Sequence, residues 1–138
     1  MIETLEHIKP EEISKVLSNL ANLLKKTGTF IVTVPSINLH LEKKHYQHFT
    51  TESLRKNLEK HFTVDKIIGR AKIGPKRKIF RFLQKLGVIL YPFRNKIPFI
   101  RKYYSYLKKF YYQKLLIGNP DECMGLIAVC KKKKFISS

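Results

Sequence analysis

Leu23-Leu24-Lys25-Lys26-Thr27-Gly28-Thr29-Phe30-Ile31-Val32-Thr33-Val34-Pro35 is the stretch on which the reading of the fold turns. Its second half, Phe30 to Val34, is a short apolar run rich in β-branched side chains that stops at a proline, the pattern of a strand buried on both faces. Its first half ends a helix. Upstream, Ile13, Val16, Leu17, Leu20, Leu23 and Leu24 recur at helical spacing. Pro10 suits the first turn, where its missing N–H costs nothing, and Glu11 and Glu12 meet the positive end of the helix dipole. Lys25 and Lys26 fall in the expected last turn, and Gly28 can take a left-handed cap. Helix, glycine turn and buried strand make one αβ unit.

Downstream, a polar loop carries His40, His45 and His48, and Thr50 or Thr51 can cap a helix that places Leu54 and Leu58 on one face and runs to His61. Phe62 to Ile68 reads as a strand, and so does Met124 to Lys131, where Lys131 to Lys134 form a basic end. The order helix, strand, helix, strand, basic segment, strand points to a layered α/β sheet and not to a bundle.

The 138 residues, 43% of them hydrophobic, suffice for one compact domain with a single core. Lys and Arg number 28 against 10 Asp and Glu, a net charge of +18, which implies an anionic partner: nucleic acid, an acidic membrane surface or a phosphorylated substrate. The charge is unevenly spread. Lys66 to Pro120 contain no acid, 15 Lys or Arg and 11 aromatic residues, so this part behaves as an insertion. Two cysteines, Cys123 and Cys130, are too few for a disulfide scaffold or zinc site and read as free thiols in a reducing compartment. Met1 to Pro10 hold no apolar run of signal-peptide length, and no 18-residue uncharged apolar stretch occurs. The expectation is a cytoplasmic chain able to touch a membrane peripherally.

Several short motifs carry a resemblance. Glu3-Thr4-Leu5-Glu6-His7-Ile8 lies directly before the first helix. The Leu23 to Pro35 stretch combines a lysine-glycine turn, a strand and a trailing proline. His45-Tyr46-Gln47-His48-Phe49-Thr50-Thr51-Glu52-Ser53-Leu54 leads into the second helix, and Phe62 to Gly69 and Gly125 to Lys132 are the last strands. In this order the set resembles the C-terminal half of class I S-adenosylmethionine-dependent methyltransferases. The resemblance implies the C-terminal half of a Rossmann-like seven-stranded methyltransferase sheet with a basic helical insertion. Residues 1–69 would form its αβ units, 70–120 a substrate cap, and 121–138 the last strand and basic tail of the same domain. It also implies methyl transfer from S-adenosylmethionine to an oxygen, nitrogen or carbon acceptor, with a missing N-terminal half as partner. The competing reading is a non-catalytic basic module that binds an anionic membrane surface or nucleic acid.

The departures from the family are as informative. Gly28, Gly69, Gly74, Gly87, Gly118 and Gly125 form no G-x-G pair, so the turn that brings backbone N–H groups close to the cofactor is lacking, as is the acid that holds its ribose. The resemblance leaves Thr4, Leu5 and His7 beside the cofactor. Glu3, Glu6, His7 and His45 resemble the divalent-metal ligands of small-RNA 2′-O-methyltransferases and some quinone O-methyltransferases, a set able to polarise an acceptor hydroxyl. Alternatively, Glu6 and His7 only order the turn into the helix, and His45 and His48 are loop or substrate-pocket side chains. His40 and His61 read as solvent-facing. Lys76, Arg77 and Lys78, with Tyr103, Tyr104 and Tyr106, are candidate partner-binding residues. They suit lipid headgroups, with tyrosine at the boundary, or a nucleic-acid backbone with bases stacked on tyrosine. Part of the aromatic set, Phe99, Tyr103, Tyr106 and Phe110, falls near one helical face and can pack on the sheet. No named RNA-binding motif occurs, which tilts the reading toward a lipid-linked or membrane-proximal substrate.

Overall fold

Pro10–Leu23 form the first helix, α1, of the computed structural model, which describes residues 3–133; Lys134 and the rest of the expected basic tail lie outside the described residues. Ile13, Leu17 and Ala21 are its buried face. The helix ends before the two lysines assigned to it. Leu24 is already extended, its N–H bonded to Leu20 O at 3.1 Å, so Lys25 and Lys26 stand beyond the helix. Gly28 does not take a left-handed cap either. It closes a turn onto Lys25 O (2.8 Å), and a Cβ there would meet Leu24 Cδ1 at 2.8 Å, so the position needs small size and not a positive φ.

Strand β1 is Thr29–Pro35, with Val32 and Val34 fully buried and Ile31 half exposed. The expectation of burial on both faces is therefore corrected: one face is packed, and the reason is that α1 and the next helix, α2 (Thr51–Glu59), contribute to the same core cluster. Thr50 caps α2 through Ser53 N (3.0 Å), and the Ser53 hydroxyl accepts from Thr50 N (2.9 Å). His61 is half-buried rather than solvent-facing, its Nε2 lying 2.9 Å from Ser14 Oγ of α1.

Strand β2 (Phe62–Lys72) runs four residues beyond its expected end, with a bulge between Val64 and Lys66. Two helices follow, α3 (Pro75–Leu90) and α4 (Pro98–Phe110); α4 continues into a π-helical turn at Tyr111–Leu115. The two-residue strand β3 (Ile117–Gly118) and the long strand β4 (Cys123–Lys132) complete the chain. The sheet order is β1-β4-β2-β3, and β4 is antiparallel to both β1 and β2, which therefore run parallel to each other on either side of it. These four strands with antiparallel neighbours are the sheet of the described residues; seven strands are not present among them.

The main core joins α1, α2 and one face of β1, β2 and β4, with Phe30 stacked on Phe62 at 4.8 Å. A second, smaller cluster of Phe80, Leu107 and Leu115 holds α3, α4 and the π-turn together. No helix among the described residues is long and apolar enough to cross a membrane.

Candidate metal centre and adjoining groove

Because β1 and β2 are parallel, their C-terminal ends open on the same side of the sheet, where β4 begins. A cavity of about 500 Å³ lies there, bordered by Pro35, Arg70, Ala71, Met124 and Gly125 from the strands. Glu3, Glu6, His7, Glu42 and His45 from the two preceding loops close it. Glu3 (φ 45°) and Ala71 (φ 62°) are the described non-glycine residues with left-handed backbone, and both line this cavity. Strain of this kind costs about 1–3 kcal/mol per residue and gathers at functional sites.

A short helical turn, Leu5–His7, does the positioning. Leu5 is fully buried in the main core, so it anchors the turn and its side chain does not face the cavity. Thr4 O accepts from His7 N (3.1 Å). Glu6 is only 1% exposed, and its Oε2 has no hydrogen-bond partner among the described residues. Its Oε1 is 4.0 Å from His7 Nε2. Tyr46 N donates to Glu6 O (2.8 Å), drawing the histidine loop onto this turn, and the rings of His7 and His45 meet edge to face at 4.7 Å.

For neutral imidazoles the hydrogen bonds fix the tautomers. Leu39 O, a carbonyl, can only accept, so His48 donates to it from Nδ1 (3.0 Å) and keeps its Nε2 lone pair. His45 Nδ1, 2.8 Å from that lone pair, must then carry the proton, which leaves His45 Nε2 an open acceptor. His7 Nδ1 likewise donates to Lys44 O (3.0 Å), leaving its Nε2 open. One ligand atom from each of Glu6, His7 and His45 lies within 4.8 Å of the other two, and His7 Nε2 stands 4.0 Å from Glu6 Oε1. Such a set repels itself unless a proton or a cation sits among it. The Nδ1 donors fix each ring as metal-binding histidines commonly are fixed, so the donor set fits a divalent ion.

Of the sequence-derived candidates, Glu6, His7 and His45 come together, with His48 behind His45. Glu3 lines the same cavity but is paired with Arg70. Arg70 escaped the sequence reading, being one of fifteen cations in the acid-free segment; its position at the end of β2 is the mark that singles it out. Gly125 leaves room for it, since a Cβ there would stand 3.4 Å from Arg70 Nε. Tyr103 and Tyr104 turn inward: their hydroxyls donate to Leu83 O (2.6 Å) and Gly87 O of α3, while Tyr106 is exposed. Lys76 and Lys78 are exposed and Arg77 half-buried at the start of α3, with Arg77 and Lys78 lining a neighbouring cavity.

A scan against protein-family models found no match, and a search of curated proteins found none. Among solved structures the chain is similar to phospholethanolamine N-methyltransferase 2 of Haemonchus contortus, determined with phosphomonomethylethanolamine and S-adenosylhomocysteine: 12% identity, TM-score 0.47, over 96% of this chain and 32% of that one. The chain therefore spans about a third of that protein's length.

Proposed function

We propose that the chain is the acceptor-side half of an S-adenosylmethionine-dependent methyltransferase and that Glu6, His7 and His45 hold a divalent ion at its centre. The observation that carries this reading is the convergence of those three side chains on a strained, strand-end cavity. The motif order before and after α1 supports the methyl-transfer part. Half-exposed Ile31, on the less covered face of β1, supports incompleteness on that side of the sheet.

The cofactor itself does not fit this chain alone. No glycine pair cradles its methionine and no placed acid holds its ribose, so a second polypeptide segment with a Gly-rich turn completes the seven-stranded sheet beside β1. The contact of Glu3 N with Thr33 O (2.9 Å) marks where the preceding strand would join that edge. In the metal centre, Glu6 supplies the anionic ligand, while His7 and His45 supply neutral nitrogens oriented by Lys44 O and His48. A divalent ion bound there would supply Lewis acidity toward an acceptor hydroxyl. Arg70 keeps Glu3 at the rim, and the basic α3–α4 hairpin faces an anionic, membrane-proximal acceptor.

The test is complementation. A segment bearing the strands missing from the seven and a Gly-rich turn, fused ahead of Met1 or supplied in trans, should give S-adenosylhomocysteine binding that neither piece shows alone. Micromolar binding by the 138-residue chain alone, or none with any such segment, would contradict the proposal.

A further inference from the structure

Three cavities meet at one side chain. Tyr111, first residue of the π-helical turn, lines the metal-centre cavity, a second cavity of about 600 Å³, and a third of about 670 Å³ between α3 and α4. Arg77 and Met124 are shared by the first two, and Phe80 and Gln84 by the last two. The three cavities adjoin along these shared walls, and read in this order as one groove their lining changes in chemistry from one to the next. Its far end is an apolar slot walled by Val88, Tyr91, Pro92, Tyr104 and Leu107. Its middle carries Arg77, Lys78 and Arg81 with no acid among its lining residues. Its near end is the Glu6, His7 and His45 cluster.

From this gradient the structure assigns the groove to a single lipid with a long apolar chain and a phosphate: chain between α3 and α4, phosphate at Arg77, Lys78 and Arg81, and polar head toward Glu6 and the two histidines. The assignment deepens the reading above, taking its metal centre as the reacting end and naming the substrate class. Charge complementarity selects the middle portion. Those cations stand within the first two turns of α3, where the helix dipole is positive and carboxylates are the usual occupants, yet none is present. A phosphate there offsets both the repulsion and the dipole.

The slot volume falls within the roughly 300–1,000 Å³ typical of ligand sites. The source of the lipid is legible on the outer face of α3. Ile79, Phe82, Leu86 and Ile89, spaced three, four and three residues apart, are all exposed on one stripe, bordered on its groove side by Lys78, Arg81 and Lys85. An apolar stripe edged by cations lies in a membrane interface with its charges on the headgroups. Such a placement sets the mouth of the groove at the depth where a lipid phosphate sits.

The test is a titration of the full chain with n-alkyl phosphates of eight to sixteen carbons, kept below micelle formation at about 0.3 M salt, where exposed charges are screened. Affinity should rise about three- to fourfold per methylene and then level off when the slot is full. Inorganic phosphate and a chain-matched alkyl glucoside should each bind at least about a hundredfold more weakly than the longest phosphate that fits. Val88→Lys, at a position 74% exposed and so safe for folding, and Arg77→Gln with Arg81→Gln should each cost about tenfold or more. Lack of chain-length dependence, indifference to both sets of substitutions, or tighter binding of an oligothymidylate than of any alkyl phosphate would overturn the assignment. Manganese binding measured on the same samples separates the two readings. Alkyl phosphate binding that follows the variants upholds the groove even where manganese fails to bind, and manganese binding without it upholds only the metal centre.

Discussion

Replacing Glu6 with Gln should reverse the order of stability between two solutions. The side chain is 1% exposed and Oε2 has no hydrogen-bond partner among the described residues, a situation that costs about 1–3 kcal/mol for a neutral group and more for a charged one. The amide keeps the shape and removes the charge. Without metal, Glu6→Gln should therefore gain roughly 1 kcal/mol, a rise of about 3–4 °C in Tm for a chain of this size. With manganese or zinc at about a hundred times Kd, the wild type should gain about 2.7 kcal/mol, while the variant, short of its anionic ligand, gains little. The wild type then melts above the variant. Thermal denaturation followed by circular dichroism, in chelator and then in metal, reads both signs. A variant less stable than wild type in chelator, or equally stabilised by metal, would refute the reasoning, since the carboxylate would then be satisfied by the fold itself.

Phe62→Ala should cost about 3–5 kcal/mol in denaturant unfolding, because Phe62 is 1% exposed and stacks on Phe30 across the sheet. Gly69→Ala should cost about 1–3 kcal/mol despite adding one methyl, because its Cβ would lie 2.6 Å from both Asn119 O and Cys123 Sγ. Burial, aided by the Asp65 carboxylate, pushes the Cys130 thiol up from 9.0 to about 11. The unfolded thiol ionises first, so this contribution is intact below pH 9 and is lost as pH rises from 9 to 11, by roughly 2–3 kcal/mol. Cys130→Ala should lack that part of the alkaline decline, and a parallel pH profile would contradict the assignment.

The elements with strong local signals were legible in the sequence. The α1 periodicity, the β-branched run of β1, the Thr50 cap and the apolar β4 all stand where periodicity and capping place them, because each is settled by neighbours within a few residues. What depends on distant partners was not. Ile31 looks as buried as Val32 in sequence, and only the packing of both helices on one face separates them. The extension of β2 to Lys72 is secured by pairing with Cys123 and with β3, more than forty residues downstream. Tyr103 and Tyr104 look like surface aromatics until α3 supplies carbonyls for their hydroxyls. At the site, Glu6, His7 and His45 could be named as a set, but the proton placement that opens both Nε2 lone pairs depends on Leu39 O and Lys44 O. The match of Arg70 to Glu3 spans 67 residues, and only Arg70's place near the end of a strand marks it in the sequence.

Manganese titration with electron paramagnetic resonance tests the metal centre most directly. The account predicts one bound ion per chain, with superhyperfine or spin-echo modulation from two imidazole nitrogens. One of these nitrogens should vanish in His7→Ala and the other in His45→Ala, and binding should be abolished when both are replaced. Binding that shows no nitrogen coupling, or that survives the double substitution unchanged, would contradict it.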